Sequence, residues 1–472
     1  MRGTGNWSCR PYHPALYDGS DIYICRIAPG ADRIEAEWLY EYGGEHNPVL
    51  RLRKRGGTGF TEIPVAGTSY MITGLEPDTD YEFMLTDGEH FSRLRLARTG
   101  EPVGVVINYL HPDDDAYGFS GHTLGSPSLL KLPSGALLAG MDLYSNGYPQ
   151  NLELIFRSDD GGESWHYVSE LMPCFWGKLF YHRGALYIIG CSTEYGDLLI
   201  GRSDDEGVTW KAPTPIFRGS CNSFFPGFAN CPTPVVYANG RIWKGIDYGC
   251  RRAYDAKDPV PHAPAVISAP EDADLLDPAV WTLSHPAVYN PDWEGTSKGT
   301  SQGCLESNAV IAPDGSLYII PRYHTNGCTP EYGRLLIYKA DLSDPEKEIS
   351  FLRAVDFNGN TSKFEIIRDE VSGYYIAVVN GLDERNRSYL FSRDLVMLYR
   401  SRDLVNWEFC ANLIDLVGRK GEGSQNPSLV PDGDDLLMTM RTAINDPIGP
   451  MFANYATFHR IKNIRKLMGV TE

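Results

Sequence analysis

The chain carries the same eight-residue turn pattern twice, as Ser158-x-Asp160-x-Gly162-x-Ser164-Trp165 and as Ser203-x-Asp205-x-Gly207-x-Thr209-Trp210. In such a turn the Asp carboxylate accepts backbone N–H groups, Gly takes a positive φ, and Trp packs against a sheet. Short runs rich in Ile, Leu, Tyr and Phe precede the second copy, separated by turn residues such as Arg183-Gly184. These runs are typical of antiparallel strands. The repeated turn therefore predicts a repeated all-β unit.

Six places in the chain have two strand-like runs joined by a turn. They are Ser126–Leu132 with Ala136–Asp142, Lys178–Tyr181 with Ala185–Gly190, Pro234–Tyr237 with Arg241–Asp247, Ser307–Ile311 with Ser316–Arg322, Lys363–Ile367 with Tyr374–Asn380, and Pro427–Val430 with Asp435–Arg441. Their spacing is that of four-stranded propeller blades. Val103–Tyr109 would close the ring by pairing with Tyr455–Ile461, which removes both sheet edges. We predict a six-bladed β-propeller over residues 101–472, with a seventh blade inside Asp247–Cys304 as the alternative.

Residues 1–100 precede this repeat and form a separate domain. Six strand-like runs lie between residues 22 and 98, at the spacing of a small β-sandwich, and Trp38 falls on an early strand. We expect this domain to act as a spacer or a docking module and to take no part in catalysis.

Charge and cysteine content limit the partners of the protein. A net charge of −18 argues against nucleic-acid and anionic-membrane partners, because little would neutralise phosphates. The ten cysteines include no Cys-x-x-Cys pair, which favours free thiols and predicts no cofactor. A structural zinc at Cys221, Cys231 and Cys250, or a few disulfides after export, are the alternatives. No apolar run has the length of a signal peptide or a membrane span. We expect a soluble protein, either cytoplasmic or secreted after removal of a signal, and the oligomeric state stays open.

Polar and aromatic residues gather at one end of the predicted blades. The start of a first strand and the end of a second strand lie on the same face of a propeller, around its axis. The catalytic candidates there are Glu306, Asp142, His122 and Tyr195, and the candidates for binding substrate are Arg322, Arg441, Lys363, Lys178, Trp176, Asn308, Arg251 and His324. Each also has a structural interpretation, as an ion pair, a turn cap or a packed loop residue.

The chemistry of these side chains suits an acidic sugar. Paired carboxylates on either side of a sugar perform general acid/base hydrolysis. Arginines that bind a carboxylate, with a Tyr, Lys or His base nearby, suit either a sialidase-type hydrolase or β-elimination from a uronic acid.

The repeated turn resembles the Asp box of bacterial neuraminidase repeat proteins, whose repeats are propeller blades. A shortened third copy is Ser401-Arg-Asp403-Leu-Val-Asn-Trp407. In the first domain, Leu75-Glu-Pro77-Asp-Thr79-Asp-Tyr81 resembles the tyrosine-corner segment of fibronectin type III domains. These resemblances imply a sialidase-like propeller behind a fibronectin type III-like sandwich.

From about Gly121 to Arg465 the chain also resembles a group of glycan-degrading propellers that includes ulvan lyases and an exo-acting α-L-rhamnosidase. The resemblance rests on Gly125-Ser-Pro-Ser-Leu, Glu194-Tyr-Gly196, Arg241-Ile-Trp243, Leu305-Glu-Ser-Asn-Ala-Val310, Ser362-Lys-Phe364, Arg441-Thr-Ala443 and Thr457-Phe-His-Arg460. Met141 and Cys231 stand where those relatives place a His, which disfavours a His-based lyase. Ser126-Pro-Ser replaces the Arg-Ile-Pro of true sialidases, which disfavours strict sialidase activity.

Three functions fit the sequence. The first is an exo-acting glycoside hydrolase on a glycan that contains an acidic or deoxy sugar, with Glu306 and Asp142 as carboxylates and with Arg322 and Arg441 on the substrate anion. The second is a polysaccharide lyase that uses His122 or Tyr195. The third is a glycan-binding propeller without catalysis.

Overall fold

The computed structural model describes residues 20–221, 225–250, 262–299, 301, 303–360, 362–447 and 449–470, and it is built almost entirely from antiparallel strands. The first domain has two packed sheets, one of β1, β2 and β5 and one of β4, β3, β6 and β7. Their bounds are β1 Ile22–Pro29, β2 Arg33–Tyr40, β3 Val49–Lys54, β4 Thr61–Pro64, β5 Ser69–Thr73, β6 Asp80–Thr86 and β7 Arg95–Arg98. Six of these seven strands coincide with the strand-like runs that the sequence predicts, whereas β4 is not predicted.

The sandwich core is formed by residues that alternate along each strand. Trp38, Phe83 and Ile34 are fully buried between the two sheets. Tyr81 accepts a hydrogen bond at its hydroxyl from the backbone N–H of Glu76, at 2.9 Å. A tyrosine hydroxyl that bonds a backbone group a few residues upstream is the feature of a tyrosine corner.

Six further sheets of four or five strands follow in the described part of the chain. The first sheet contains β9 Thr123–Leu124, β10 Ser128–Lys131, β11 Leu137–Tyr144, β12 Glu153–Ser158 and β13 His166–Leu171, and the second contains β14 Phe175–His182, β15 Ala185–Cys191, β16 Leu198–Ser203 and β17 Thr214–Phe217. The third contains β18 Gly227–Ala229, β19 Val235–Ala238, β20 Arg241–Gly249, β21 Ala263–Pro270 and β22 Thr282–Leu283. The fourth contains β23 Gly303–Ile311, β24 Leu317–His324, β25 Arg334–Ala340 and β26 Ser350–Asp356, and the fifth contains β27 Glu365–Arg368, β28 Tyr375–Asn380, β29 Leu395–Ser401 and β30 Glu408–Asp415. The sixth group is β31 Gly423–Asp432, β32 Asp435–Ala443 and β33 Tyr455–Ile461, joined by β8 Val105–Tyr109. A 3₁₀ turn, Pro278–Val280, and the helix α1, Ile464–Leu467, complete the elements.

The last sheet takes its outermost strand from the start of the repeat region. Strand β8 pairs with β33, with Tyr109 opposite Tyr455 and Asn108 opposite Ala456. The innermost strand β10 lies beside both β14 and β31, so the first sheet contacts the second and the last. This arrangement is a propeller, as the sequence predicts, and residues far apart in the chain meet at its axis.

The segment between Asp247 and Cys304 contributes to the third sheet. Strands β21 and β22 come from it and pair in order after β20. Within the described residues it therefore adds outer strands and no further sheet. A smaller difference concerns the fifth sheet, where the inner strand begins at Glu365 and not at the predicted Lys363.

Both copies of the repeated turn close the outer part of a sheet. In the second copy the Asp205 carboxylate accepts the backbone N–H of Thr209 at 2.8 Å and its hydroxyl at 2.6 Å. Trp165 and Trp210 are buried, and the indole N–H of Trp210 donates to the carbonyl of Gly207 at 3.1 Å. The shortened copy also forms, with Asp403 accepting the N–H of Asn406 at 2.8 Å.

The sandwich packs tightly on the propeller. Arg95 of β7 donates to Asp114 at 2.7 Å, and both side chains are almost completely buried. Arg26 of β1 donates to the carbonyl oxygen of Ile107 in β8 at 2.8 Å. The sandwich therefore rests on the strand that closes the ring.

Within the described ranges, no helix is long and apolar enough to cross a membrane. Nine cysteines lie in those ranges, and none forms a disulfide there. The zinc alternative gains no geometric support, because no group of three or more His, Cys, Asp or Glu side chains is arranged for a metal ion in this part of the chain.

Candidate active site

A pocket of about 360 Å³ lies at one end of the propeller axis, and each of the six sheets contributes to its wall. This is the lower end of the range of about 300–1,000 Å³ that small-molecule pockets occupy. It is the face on which first strands begin and second strands end, as the sequence predicts. The side chains that define its chemistry are Trp176, Glu194, Tyr195, Asp247, His262, Glu306, Arg322, His324, Arg393, Gln425, Asn426 and Arg441.

Local backbone irregularities direct three of these side chains into the pocket. Trp176, Glu306 and Asn426 have positive φ values of 52°, 57° and 58°. Each lies where the register of the innermost strand shifts, in β14, β23 and β31. Such β-bulges insert one residue and re-aim a side chain, and positive φ is costly for residues other than glycine. The second, fourth and sixth sheets thus use the same device.

Three arginines from neighbouring sheets form a cationic wall on one side of the pocket. Arg322 lies near the end of β24, Arg393 precedes β29, and Arg441 lies in β32. The buried Nε atoms of Arg322 and Arg441 have no hydrogen-bond partner in the structure. Buried guanidinium groups are stable only beside an anion or hydrogen-bond acceptors. The wall is therefore suited to an anionic ligand, and a carboxylate would accept from the forked donors.

The arginines affect one another and a neighbouring histidine. Burial lowers the pKa of Arg393 to about 9, and the positive charges of Arg322 and Arg441 act in the same direction. Burial also lowers the pKa of His324 to about 3, again supported by Arg322 and Arg393. His324 is consequently neutral at physiological pH, and its ring offers hydrogen bonds without adding charge.

Glu306 is the carboxylate nearest to this wall. Arg322 donates to both of its oxygens, at 3.2 and 3.3 Å, and the Glu306 side chain is only 8% exposed. The backbone N–H of Glu306 donates to Asp247 at 2.9 Å. The carboxylate is thus held from two sides at the edge of the pocket.

The opposite side of the pocket contains a chain of three side chains that can move a proton. The Tyr195 hydroxyl lies 3.3 Å from His262 Nε2, and His262 Nδ1 lies 2.7 Å from the Asp247 carboxylate. Burial raises the pKa of Asp247, although the contacts with His262 act against that shift. Tyr195 has a φ of 61°, another strained residue in the pocket. A histidine placed between a phenol and a carboxylate has a fixed orientation and can act in acid–base catalysis.

Six of the predicted site residues line the pocket. They are Glu306, Tyr195, Arg322, Arg441, Trp176 and His324. The loop and strand ends named in the sequence thus meet in space, although the residues span the chain from the second sheet to the sixth.

Two predicted catalytic residues lie outside the pocket lining. Asp142 is fully buried, and its carboxylate accepts the backbone N–H of Ser126 at 3.0 Å. His122 stands on the loop before β9, with its ring against Tyr148 and its Nε2 3.9 Å from Asp115. Asp142 is excluded from the pocket because it turns under the loop at Gly125, where no side chain occupies the space.

Three further predicted residues are internal, and one cannot be placed. Lys363 lies 3.1 Å from Glu365, and Lys178 lies 3.9 Å from the same carboxylate, all three side chains being buried. Burial lowers the pKa of Lys178, although Glu365 acts in the opposite direction. Asn308 donates to the carbonyl of Phe364 at 3.1 Å and so joins two sheets. Arg251 lies outside the described residues.

The sequence reasoning omitted two members of the site, His262 and Arg393. His262 directly precedes β21, and Arg393 lies two residues before β29. The loop from a second to a third strand lies on the same face as the start of the first strand, so the same rule of strand direction extends to these two positions. Glu194 and Tyr195 occupy the equivalent place before β16.

No protein-family model and no curated protein sequence matches the chain. Solved structures do match over most of its length. An α-L-arabinofuranosidase of Fusarium graminearum in complex with an iminosugar inhibitor has a TM-score of 0.51 and 13% identity, over 77% of this chain and 98% of that one. A Hadza microbial sialidase has a TM-score of 0.50 and 13% identity, over 93% and 94%. The leech intramolecular trans-sialidase has a TM-score of 0.50 and 10% identity, over 96% and 93%. At these identities the likeness shows the fold alone, which agrees with the propeller arrangement of the six sheets.

Proposed function

We propose that the protein is an exo-acting glycoside hydrolase that removes an acidic sugar from the end of a glycan. The observation that carries this proposal is the division of the pocket into a cationic wall and a wall of acid–base groups. A carboxylated sugar bound to Arg322, Arg393 and Arg441 would present its reactive carbon to Glu306 and to the Tyr195–His262–Asp247 chain. The pocket opens at one end of the axis, and its volume suits one or two sugar units.

The roles of the residues follow from their contacts. Glu306, held by Arg322, would stabilise the positive charge that develops on the sugar ring in the transition state. The proton for the leaving oxygen would come from the chain of Tyr195, His262 and Asp247. Asp247 takes the place that the sequence assigned to Asp142 as the second carboxylate. That the sugar is acidic, or belongs to a glycan that contains a deoxy sugar, is part of this proposal.

The domain assignments belong to the same proposal. We interpret the six sheets as six blades over residues 101–472, and the two sheets before them as a fibronectin type III-like domain over residues 1–100. The order of the six sheets and the pairing of β8 with β33 support the first assignment. The hydrogen bond between Tyr81 and Glu76 supports the second.

A lyase is the second candidate, and the contact between Tyr195 and His262 favours it. The same pair could remove the proton next to a uronic-acid carboxylate while the arginines neutralise that carboxylate. The group of Tyr195, His262 and Asp247 includes neither Met141 nor Cys231, so the absence of a His at those two positions does not weaken it.

Product analysis in heavy-oxygen water tests the proposal. The enzyme is incubated with defined oligosaccharides that end in uronic acids or N-acetylneuraminic acid, and the masses of the products are measured by mass spectrometry. Hydrolysis adds one solvent oxygen to the released sugar, whereas elimination adds none and creates an unsaturated sugar that absorbs ultraviolet light. Glu306→Gln should lower kcat at least about 100-fold. Glu408→Gln, on the outer strand β30 and paired with Arg400, is the matched control. Binding without turnover for any glycan would support a non-catalytic propeller and contradict the proposal.

A further inference from the structure

We infer that Gln425 is a positioning residue that gives the pocket its preference for an anionic sugar. This role rests on the proposed function and adds a determinant of its substrate class. Gln425 lies in the pocket wall, on the innermost strand of the sixth sheet, and its side chain is buried. It acts on the substrate through two arginines, one that it contacts directly and one that it reaches through the carbonyl of Met451.

Strand pairing places Gln425 between Arg393 and Arg441. Gln425 is directly opposite Arg441 in the register of β31 and β32, so the two side chains lie on the same face of the sheet. The backbone N–H of Ser424 donates to the carbonyl of Arg393 at 2.7 Å, which fixes the start of the third strand of the fifth sheet against β31. Arginines from two different sheets therefore meet at one side chain.

The Gln425 amide uses both of its ends. Its Oε1 accepts from Arg393 Nε at 2.8 Å, and its Nε2 donates to the carbonyls of Pro450 and Met451, both at 3.1 Å. Arg441 Nη2 donates to the same Met451 carbonyl at 2.6 Å. These contacts fix the orientation of the amide, because a guanidinium only donates and a peptide carbonyl only accepts.

The contacts also require an amide at this position. A carboxylate of the same length would accept from Arg393, but it would turn an acceptor oxygen toward two peptide carbonyls. An apolar side chain of the same length would contact the same atoms without any hydrogen bond. Glutamine is thus the side chain of this length that satisfies both neighbours.

The acceptors that hold the two arginines are uncharged. They are an amide oxygen for Arg393 and a peptide carbonyl for Arg441, so these contacts orient the guanidinium groups without cancelling their charge. Arg95, in the interface between the domains, is also buried but donates to the carboxylate of Asp114 at 2.7 Å. A buried cation that a carboxylate already neutralises attracts a second anion weakly, whereas one held by neutral oxygens attracts it strongly.

The same amide supports another part of the pocket wall. Met451 and Phe452 line the pocket, and the Gln425 amide donates to the carbonyl of Met451 and to that of Pro450 before it. A purely structural role would consist of this support alone. It would affect acidic and neutral ligands equally, because both fill the same pocket.

Binding of matched sugars separates the two roles. The probes are methyl glucuronide with methyl glucoside, methyl galacturonide with methyl galactoside, and the methyl glycoside of N-acetylneuraminic acid with its carboxyl-reduced form. Each pair differs only in the carboxyl group, and affinities are measured by calorimetry or by NMR titration without any need for turnover. The wild-type protein should bind at least one acid about tenfold more tightly than its neutral partner.

Gln425→Glu should remove this preference. It should lower the affinity for that acid about 10- to 100-fold, since hydrogen bonds to charged groups contribute this much. The affinity for the neutral partner should change less than about threefold. Gln425→Met removes the hydrogen bonds without adding a negative charge, so its preference for the acid should lie between those of wild type and Gln425→Glu.

Asn239→Asp is the matched control. The side-chain amide of Asn239 also donates to a peptide carbonyl, that of Leu342, at 2.9 Å. It lies in the turn between β19 and β20, on the opposite face of the propeller from the pocket. The same change from amide to carboxylate should leave the affinity for both sugars of the pair unaltered.

Each alternative result has a defined meaning. Equal losses for the acid and its neutral partner in both variants would show that Gln425 only supports residues 450–452, and an unchanged affinity for the acid in Gln425→Glu would also overturn the inference. If the wild-type protein binds no acid more tightly than its neutral partner, the inference fails together with the acidic substrate. Acid binding that Gln425→Glu weakens, without turnover, would support the inference and contradict the hydrolase. Hydrolysis of an acidic glycan that Gln425→Glu leaves unchanged would do the reverse.

Discussion

Asp142 and Glu153 face each other across the antiparallel strands β11 and β12, and both side chains are fully buried. Directly opposite residues of such a pair have their side chains on the same face of the sheet, with Cβ atoms about 4.5–5.5 Å apart. Asp142 Oδ2 and Glu153 Oε1 have no hydrogen-bond partner in the structure. Burial raises the pKa of Glu153, and the charge of Asp142 raises it further. Two buried carboxyl groups in this arrangement share a proton more readily than both ionise.

The first prediction concerns the pH dependence of stability at Asp142. Burial raises its pKa to about 7, although the positive charge of Arg441 acts in the opposite direction. The folded state therefore holds this proton more tightly than the unfolded state does. The stabilisation is complete below the unfolded pKa, near 4, and is lost as the pH rises toward 7. The free energy of unfolding of Asp142→Asn, relative to wild type, should rise by on the order of 4 kcal/mol over this range, at about 1.4 kcal/mol for each pKa unit. Chemical denaturation at a series of pH values measures it.

Glu153→Gln serves as the companion variant. It removes the carboxyl group whose pKa is raised by burial and by the charge of Asp142, so the part of the pH dependence that Glu153 contributes should disappear. The buried thiol of Cys174, whose pKa is raised by burial and by both carboxyls, titrates above this range and does not interfere. A difference between Asp142→Asn and wild type that is the same at every pH would contradict the shared proton.

The second prediction concerns the space around this pair. A Cβ atom at Gly125 would lie 2.0 Å from Asp142 Oδ2, and one at Gly140 would lie 2.6 Å from Glu153 Oε1. Gly125→Ala should therefore destabilise the protein by about 1–3 kcal/mol, the usual effect of overpacking. Gly135→Ala is a weaker perturbation in space, because nothing lies within 4 Å of its Cβ, but its φ of 94° adds strain. In a protein that already carries Asp142→Ala, adding Gly125→Ala should cost much less stability than it does in the wild type, because the clashing carboxyl group is then absent. A loss that persists in the double variant would refute this explanation.

The third prediction tests the cationic wall. Arg322→Lys keeps the charge but replaces the planar guanidinium, whose Nη1 donates to both oxygens of Glu306, with a single ammonium group that cannot also offer a fork to a substrate carboxylate. It should lower kcat/KM for an acidic oligosaccharide by about 10- to 100-fold, since hydrogen bonds to charged groups contribute about 1.5–3 kcal/mol. The same substrate with its carboxyl reduced to an alcohol should show a much smaller difference between variant and wild type.

Arg334→Lys is the matched control for that experiment. Arg334 also pairs with a carboxylate, Asp356, but it lies on the outer strands β25 and β26. Its replacement should leave the kinetics unchanged. Equal losses for the acidic and the reduced substrate in Arg322→Lys would indicate a structural role for Arg322.

Local sequence signals predict the fold because turn chemistry and strand alternation are local. The two copies of the repeated turn, the hairpin turns and the strand Val105–Tyr109 are all present near their predicted places. Because first strands begin and second strands end on one face of a propeller, the sequence also predicts Glu306 and Arg322 as site residues. The bulges at Trp176, Glu306 and Asn426 were not predicted, because no common motif marks them and the strain is maintained by the packing around the axis.

The positions of individual side chains depend on depth along the axis, which hairpin spacing does not determine. Lys178 lies only two residues beyond Trp176, yet it is buried beside Glu365 and not in the pocket. Asp142 ends a predicted strand as Arg322 does, but the structure continues β11 to Tyr144 and leaves the carboxylate beneath the loop. His262 and Arg393 precede β21 and β29, whereas the prediction covers only the starts of first strands and the ends of second strands.

The last prediction concerns the interface between the sandwich and the propeller. Arg95 and Asp114 form a salt bridge of 2.7 Å with side-chain exposures of only 4% and 1%. Asp114 also accepts the backbone N–H of Ala116 at 2.9 Å, so its loss leaves a buried cation and an unpaired donor. Asp114→Ala should lower the free energy of unfolding by about 3–5 kcal/mol, the usual cost of removing one partner of a buried pair.

A neighbouring ion pair between the same two domains provides the control. Arg55 donates to Asp113 at 2.7 Å, but these side chains are 40% and 56% exposed. Asp113→Ala should cost less than about 1 kcal/mol, because solvent screens an exposed pair. Replacing both members of the buried pair, as Arg95→Met with Asp114→Leu, should recover much of the stability lost in Asp114→Ala. Guanidinium denaturation measures all four proteins, and equal costs for Asp114→Ala and Asp113→Ala would show that the buried pair does not fasten the two domains together.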